Sequence, residues 1–317
     1  MQILLISGFL GAGKTTFIKE LIKRTDKRPV IMENEYGANN LDSLELKNSA
    51  EKSSDIKVLE FMEGCVCCTM KDSFVNSVLA IFSSLSPDYL IIEPTGVGKL
   101  SSIIENLKPI LNTAITLLEP IVVLSPQTFA DNMKKWGKLY TDQIANAGRV
   151  VFSKCENADS SEIMKVSDNI KKINPNAKIL PQHYLKMDED WWDSLWDIPG
   201  NAANDTYSKI DKTSQPKEEV FSQVSIGKAG FHNPMQLIQL LEDCLRGEFG
   251  IVARAKGTLW VGEEILRFDL ADRMYAIETS PDDKCQCVFI GKNLDEKRLR
   301  ERLLGGYRNA LCKIANN

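Results

Sequence analysis

The sequence predicts two domains of different class: an α/β domain with a mostly parallel sheet and helices on both of its faces, then a smaller α+β domain. Short apolar runs alternate with amphipathic helices through residues 1–184, whereas several short strands flanked by two helices occupy residues 218–317. Between them, residues 185–217 are acidic and tryptophan-rich and then polar, which indicates a linker. The chain of 317 residues is long enough for both domains.

Each element of the first domain follows from its apolar pattern. Apolar runs predict strands over residues 2–7, 29–32, 56–61, 88–92, 121–124, 149–152 and 177–180. Apolar residues at helical spacing predict helices over residues 14–24, 73–85 and 160–173. Because strands alternate with helices along this domain, we expect a mostly parallel sheet that is covered on both faces.

The linker and the second domain have a different pattern. In the linker we expect Trp191, Trp192 and Trp196 to anchor the segment to a neighbouring surface; the alternative is a docking motif for a partner. Strands of the second domain are predicted over residues 220–226, 258–261, 265–268, 275–277 and 286–290. Helices are predicted over residues 234–245 and 295–304.

The composition excludes several classes of protein. Hydrophobic residues make up 43% and charged residues 26%, as in globular proteins, which excludes a collagen-like or wholly disordered chain. The net charge of −4 argues against a nucleic-acid partner, and no stretch reaches the ~18 apolar residues that a membrane helix needs. A strand at residue 2 leads directly into a glycine-rich loop, so we expect no cleaved leader, a cytoplasmic location and reduced cysteines.

Residues 8–16 read GFLGAGKTT and contain the pattern G-x-x-x-x-G-K-[ST] between a predicted strand and a predicted helix. This pattern is typical of a P-loop, the phosphate-binding loop of nucleoside triphosphatases. Its glycines let backbone N–H groups surround phosphate oxygens, and the helix N-terminus adds partial positive charge. Lys14 is expected to reach the β- and γ-phosphates, and Thr15 to ligate Mg²⁺. The residues expected to bind nucleotide here are Gly8, Gly11, Ala12, Gly13, Lys14, Thr15 and Thr16.

A second predicted strand ends in an acid, because residues 90–96 read LIIEPTG. A magnesium site beside a P-loop needs such a carboxylate. We expect Glu93 to hold Mg²⁺ through water or to orient the attacking water, and the Gly96 N–H to bond to the γ-phosphate. Together with Lys14, these two residues form the predicted catalytic set.

The loop after the strand at 149–152 is expected to select the base. Guanine readers typically run Asn-Lys-x-Asp there, and this chain has Ser153, Lys154, Cys155 and Glu156. The Lys154 stem is expected to stack on the base, and Glu156 to accept hydrogen bonds from the guanine ring N–H and amino group. Because Ser153 lacks the asparagine amide, we expect a looser loop, with GTP still preferred over ATP.

Three cysteines fall within four residues, at Cys65, Cys67 and Cys68. Thiolates are preferred ligands of Zn²⁺ and similar ions, and in an extended segment the first and second of these cysteines point to the same side. A further ligand is needed, and with only two histidines in the chain we expect a carboxylate or water; Glu33 and Glu35 are candidate carboxylates, and the alternative is three buried free thiols. The close pair Cys285 and Cys287 is expected to be half-buried thiols, and the lone histidines His183 and His232 are expected to be structural.

Taken together, these motifs resemble the CobW-like family of metal-chaperone GTPases over nearly the whole chain. The resembling segments are residues 8–16, Glu33-Asn34-Glu35-Tyr36-Gly37, Gly64-Cys65-Val66-Cys67-Cys68, Glu93-Pro94-Thr95-Gly96, Arg254-Ala255-Lys256-Gly257, Trp260 and Phe289-Ile290-Gly291. The resemblance implies a P-loop GTPase domain, GTP and Mg²⁺ as ligands, and a transition metal, Zn²⁺ or Co²⁺, on the CxCC segment. The chain departs from the family pattern at Ser153 and Glu156, at Ala38 where an acid often stands, and in lacking a histidine-rich linker.

The leading hypothesis is a GTP-hydrolysing metallochaperone that delivers its metal to a client metalloprotein or a cofactor-assembly protein. A nucleotide-dependent activator that remodels a client metalloenzyme without carrying metal is the alternative, with the tryptophan-rich linker as its docking site. A third hypothesis, a P-loop small-molecule kinase, leaves the cysteine cluster unexplained. We expect neither nucleic acid nor membrane as a partner, and a homodimer is compatible with the sequence.

Overall fold

The computed structural model describes residues 1–36, 57–63, 71–156, 158–197, 221–280 and 285–314. The described residues divide into two compact units, the first within residues 1–197 and the second within residues 221–314. Each unit has its own sheet and its own buried apolar core.

The first unit alternates strands and helices, as predicted. Its strands are β1 (Gln2–Ser7), β2 (Val30–Tyr36), β3 (Val58–Glu63), β4 (Tyr89–Glu93), β5 (Thr116–Leu117), β6 (Ile121–Leu124), β7 (Arg149–Phe152) and β8 (Lys178–His183). Its helices are α1 (Lys14–Lys23), α2 (Lys71–Leu85), α3 (Leu100–Leu107), α4 (Pro126–Ala145), α5 (Ser160–Ile173) and α6 (Glu189–Asp193). Short 3₁₀ turns cover Lys108–Ile110, Tyr184–Lys186 and Ser194–Trp196.

The strands of this unit form one sheet in the order β3-β2-β4-β1-β6-β7-β8, with β5 added beside β1. Every pairing within it is parallel, which confirms the predicted α/β class. The carboxyl ends of parallel strands lie at one edge of a sheet, and a ligand crevice forms where the chain order reverses. Here that edge collects the loops that follow β1, β4 and β7.

Helix α1 illustrates how the sequence builds this core. Phe17, Ile18, Leu21 and Ile22 recur on one helical face, and all four are buried against apolar side chains of the sheet. The helix begins after Gly13, whose φ of 87° is left-handed and therefore suits glycine. The strand predicted over residues 29–32 extends to Tyr36, so Glu33 lies inside a strand.

Besides the short α6 in the predicted linker, two helices of the first unit have no counterpart among the predicted elements. One is α3, with only 8 residues. The other is α4, with 20 residues, whose buried face includes the polar Asn132 and Gln143 and whose backbone leaves helical geometry at Trp136. A polar buried face and an interrupted backbone both weaken the apolar periodicity on which helix prediction rests.

The tryptophans of the predicted linker lie in the core of the first unit. Trp192 and Trp196 are buried in the same apolar cluster as Phe17, and the Trp192 ring stacks on the Phe17 ring at 5.4 Å. Arg149 donates hydrogen bonds to the Ser194 hydroxyl and carbonyl at 3.0 and 2.8 Å. The prediction that these tryptophans anchor the segment is confirmed for Trp192 and Trp196.

The second unit is a mainly antiparallel sheet with two helices, as predicted for an α+β domain. Its elements are β9 (Ser222–Gly227), β10 (Gly230–Phe231), α7 (Pro234–Arg246), β11 (Ile251–Val261), β12 (Glu264–Ala271), β13 (Met274–Thr279), β14 (Gln286–Lys292) and α8 (Glu296–Ile314). The sheet order is β13-β12-β11-β14-β9, and β10 pairs in parallel with β11. Among the described residues, no helix of either unit is long and apolar enough to cross a bilayer.

Candidate nucleotide site

The predicted phosphate loop connects β1 to α1 and has the backbone that its glycines permit. Gly8, Gly11 and Gly13 have φ values of 147°, 75° and 87°, which residues with a side chain rarely adopt. A Cβ at Gly8 would lie 2.3 Å from the Val123 carbonyl oxygen, so the loop packs directly against β6. The loop therefore opens onto the N-terminus of α1, where Thr16 is exposed, and this is the geometry of an anion site.

Lys14 lies in the first turn of α1 with its side chain only 7% exposed. Its Nζ is 3.4 Å from the Phe9 carbonyl oxygen and 4.0 Å from Glu93 Oε1. A buried ammonium held between a loop carbonyl and a carboxylate is preorganised to meet a phosphate. The structure thus places Lys14 beside Glu93, and both residues belong to the predicted catalytic set.

Thr15 and Glu93 form the second contact between the loop and β4. The Thr15 hydroxyl is 3.0 Å from Glu93 Oε1 and 3.2 Å from Oε2, and Glu93 is 8% exposed at the carboxyl end of β4. Hydroxyl and carboxylate oxygens are the ligands that Mg²⁺ prefers, and a loop Thr with an acid from a second strand is the usual pair. The donor set at this point therefore fits Mg²⁺.

Glu33 is the residue opposite Glu93 in the pairing of β2 with β4. It is 2% exposed, so two carboxylates are buried on adjacent strands near the phosphate loop. Buried carboxylates are costly unless cations or hydrogen bonds compensate them, and Lys14 is one such cation. From the sequence, Glu33 is one candidate ligand of the transition metal, and in the structure it lies opposite the expected magnesium ligand Glu93.

Gly96 lies against the phosphate loop. A Cβ at this position would approach Leu10 N to 2.5 Å and Phe9 C to 2.9 Å, so only glycine allows the observed closeness. The fully buried Gln143 on α4 donates its amide to the carbonyl oxygens of Gly96 and Gly98 at 3.2 and 3.1 Å. The sequence gives no signal for Gln143, because the buried face of its helix includes polar residues and lacks a clear apolar periodicity.

The predicted base-reading loop follows β7. The Ser153 hydroxyl is buried and donates to the Ala12 carbonyl oxygen at 2.6 Å, which ties this loop to the phosphate loop. Lys154 has a left-handed φ of 51°. Cys155 is buried, and burial raises the pKa of its thiol. Glu156 has a side chain that is 65% exposed, so its carboxylate can reach a ligand.

His183, which the sequence suggested was structural, lies beside this loop. It ends β8, is 6% exposed, and places its Nε2 3.2 Å from Glu156 Oε1. Its Nδ1 accepts a hydrogen bond from the Leu185 N–H at 3.2 Å. The contact depends on β7 and β8 being neighbours in the sheet, which the sequence order alone does not specify.

The cysteine cluster predicted to bind a transition metal, Cys65, Cys67 and Cys68, lies outside the described residues. Within the described part of the chain, no group of three or more His, Cys, Asp or Glu side chains is placed to hold a metal ion. Of the other predicted pair, Cys287 is fully buried and Cys285 is half-buried, and both are free thiols.

The parallel sheet, the glycine-rich loop and the Lys14–Glu93–Thr15 cluster at its carboxyl edge define a nucleotide-binding domain of the P-loop class. Residues 2–181 match the family model described as CobW/HypB/UreG, nucleotide-binding domain. Residues 221–305 match the cobalamin synthesis protein cobW C-terminal domain. The chain therefore belongs to the CobW/HypB/UreG family, which confirms the resemblance inferred from its motifs.

Several characterised proteins are similar to this chain. Zinc chaperone YjiA of Escherichia coli (strain K12) is 23% identical, and the match covers 96% of this chain and 98% of YjiA. Zinc chaperone CobW of Sinorhizobium sp is 29% identical over 52% of this chain and 54% of that protein. Zinc-regulated GTPase metalloprotein activator 1 of Dictyostelium discoideum is 25% identical over 82% of this chain and 63% of that protein. The chain thus spans less than two-thirds of the length of the last two relatives.

Among solved structures, the Zn(II)-bound YjiA GTPase from E. coli aligns with 96% of this chain and 98% of its own length, at 17% identity and a TM-score of 0.42.

Proposed function

We propose that this protein is a GTP-hydrolysing metallochaperone that binds a transition metal of the Zn²⁺ or Co²⁺ class and delivers it to a client metalloprotein or cofactor-assembly protein. The observation that carries the proposal is the register of Glu33 with Glu93 across β2 and β4. Glu33 is a candidate ligand of the transition metal, and Glu93 belongs to the residues expected to catalyse hydrolysis. Loss of the γ-phosphate on hydrolysis could therefore shift Glu93 and, through the adjacent strand, the candidate metal ligand Glu33.

The sheet topology supports the same coupling. The cysteine segment follows β3 in the sequence, and β3 pairs in parallel with β2 up to Tyr36 and Glu63. The strand that leads to the cysteines therefore ends at the same sheet edge as β4 and the phosphate loop. The three relatives described above are all named for zinc, and YjiA and CobW among them are named chaperones, which favours Zn²⁺ as the cargo.

In this proposal, side chains and backbone groups of the chain bind the phosphates and position the attacking water for hydrolysis. Lys14 and the loop N–H groups offset the charge of the β- and γ-phosphates, and the Gly96 N–H donates to the γ-phosphate. Glu93 orients the attacking water or holds Mg²⁺ through water, and Thr15 contributes its hydroxyl. Mg²⁺ held there supplies charge neutralisation on the phosphate oxygens. Ser153, Lys154 and Glu156 are proposed to select guanine.

The motivation for the alternative, a remodelling activator without metal, is that the tryptophan-rich linker could serve as a docking site for a client. Trp192 and Trp196 are buried in the core of the first unit, so that motivation is weaker. The rival hypotheses still make different predictions about metal, and the experiment below separates them.

The test measures metal binding and GTP hydrolysis in the same preparation. Equilibrium dialysis with Zn²⁺ and a non-hydrolysable GTP analogue should give stoichiometric binding, weaker with GDP, and Cys67→Ala should abolish it. Cys285→Ala is the matched control, because this half-buried thiol belongs to the second unit and should leave Zn²⁺ binding unchanged. If the rate of GTP hydrolysis does not depend on Zn²⁺ and no stoichiometric Zn²⁺ binding is found, the results favour the activator hypothesis.

A further inference from the structure

The contact between His183 and Glu156 joins a buried side chain to an exposed one. His183 is packed at the end of β8, whereas the Glu156 carboxylate projects from the loop after β7. In the strand register Phe152 lies opposite His183, so the sheet fixes the backbone at this residue. A rigid group thus contacts a side chain that has three rotatable bonds and is mostly in solvent.

The hydrogen-bonding pattern fixes where the imidazole carries its proton. Because Nδ1 accepts from the Leu185 N–H, the neutral ring has its proton on Nε2, which therefore donates to Glu156 Oε1. Burial lowers the pKa of His183, the Glu156 charge raises it and Lys186 lowers it, with a net shift downward. Tyr184 and Cys155 also lie close by, and burial raises the pKa of each, so both are neutral near pH 7.

We propose that His183 is a positioning residue for base selection, which holds the Glu156 carboxylate in the orientation that accepts from the ring N–H and amino group of guanine. This rests on the proposed function only in assuming that Glu156 reads the base. Glutamate is one methylene longer than the aspartate usual at this place, and its carboxylate would otherwise sample many rotamers. The histidine removes that freedom before the nucleotide binds, which is preorganisation.

The loss of that constraint should weaken guanine binding by about fivefold to tenfold, because one hydrogen bond restricts only part of the rotamer freedom of a glutamate. Adenine nucleotides make no favourable contact with this carboxylate, so their affinity should not change. The effect is therefore a change in the ratio of two affinities, which a general loss of folding does not produce.

The test compares two substitutions of His183 that place a hydrogen-bond donor at different positions relative to Glu156. In His183→Gln the amide N–H₂ can occupy the place of Nε2, whereas in His183→Asn it occupies the place of Nδ1 and falls short of Glu156. GDP and ADP are titrated separately into each variant with Mg²⁺ at neutral pH. We expect the wild type and His183→Gln to keep the same GDP-to-ADP preference, and His183→Asn to lose about fivefold to tenfold of it.

Glu156→Gln should abolish the preference, and adding His183→Asn to it should change nothing further, because the two residues act as one unit. An unchanged preference in His183→Asn, or an equal loss of GDP and ADP binding in both histidine variants, would overturn the proposal. If the wild type shows no guanine preference, the premise about Glu156 fails and the proposal fails with it. Metal binding and hydrolysis are measured separately, so that outcome leaves the metallochaperone proposal standing.

Discussion

Replacing Gly96 by alanine tests whether the segment after β4 reports on the γ-phosphate. The added Cβ would lie 2.5 Å from Leu10 N, whereas ordinary contacts are 3.4–4 Å, so the backbone of one segment must move on the order of 1 Å. Ser153 ties the phosphate loop to the loop after β7, and Val123 packs against Gly8. We therefore expect the Gly96 segment to move, because the phosphate loop is held from two other sides.

That displacement removes the Gly96 N–H from its predicted contact with the γ-phosphate. A hydrogen bond to a charged group contributes about 1.5–3 kcal/mol, so the rate of hydrolysis should fall by about tenfold to a hundredfold. GDP has no γ-phosphate, so its affinity should change by less than about threefold. Single-turnover hydrolysis of GTP with Mg²⁺, beside GDP titration, measures both quantities.

Gly98→Ala is the matched control for this experiment. A Cβ at Gly98 would meet its nearest neighbour, the Thr95 carbonyl oxygen, at 3.2 Å, so a shift of a few tenths of an ångström accommodates it. This variant should hydrolyse GTP within about threefold of the wild-type rate. Equal rates and equal Tm values for the two alanine variants would refute the assignment of Gly96 to the γ-phosphate.

Three other predictions follow from the described contacts. Glu93→Gln keeps an acceptor for Thr15 but removes the charge, so hydrolysis should fall at least about tenfold and require more Mg²⁺, measured by titrating Mg²⁺. Trp192→Ala should lower the free energy of unfolding by about 3–5 kcal/mol, and the half-buried Trp191→Ala by clearly less, measured by urea denaturation. Burial lowers the pKa of His183 in the folded state, so stability should be lost as pH falls below about 6.5, and His183→Gln should flatten that dependence of Tm.

Sequence periodicity was sufficient where an element is apolar on one face. The strands Gln2–Ser7, Ile121–Leu124 and Arg149–Phe152 and the helix Ser160–Ile173 have the predicted bounds. It failed for Pro126–Ala145, because polar groups are buried on that helix for a reason that only tertiary structure reveals. Gln143 is buried there because it holds the carbonyls of the segment after β4.

The phosphate loop could be predicted residue by residue because its chemistry is local: nine consecutive residues supply the turn, the cation and the hydroxyl. The contacts of Glu93 with Lys14 and of His183 with Glu156 join residues far apart in the chain. They arise from the strand order, in which β4 lies beside β1 and β8 beside β7. The spacing of the motifs can suggest that Glu93 lies beside the phosphate loop. It contains no information that would place His183 beside Glu156.

Ser153 shows why a departure from a motif must be judged by what the new side chain contacts. From the sequence, serine in place of asparagine was expected to loosen the base-reading loop, because an amide is lost. In the fold the hydroxyl is buried and donates to the Ala12 carbonyl oxygen at 2.6 Å, and a Cβ at Gly13 would meet Ser153 at 3.5 Å. A short side chain suits this closeness between the two loops, where a bulkier amide would need more room. The loop after β7 is thus held at Ser153 by the phosphate loop and at Glu156 by His183, so two separate contacts replace what one asparagine was expected to provide.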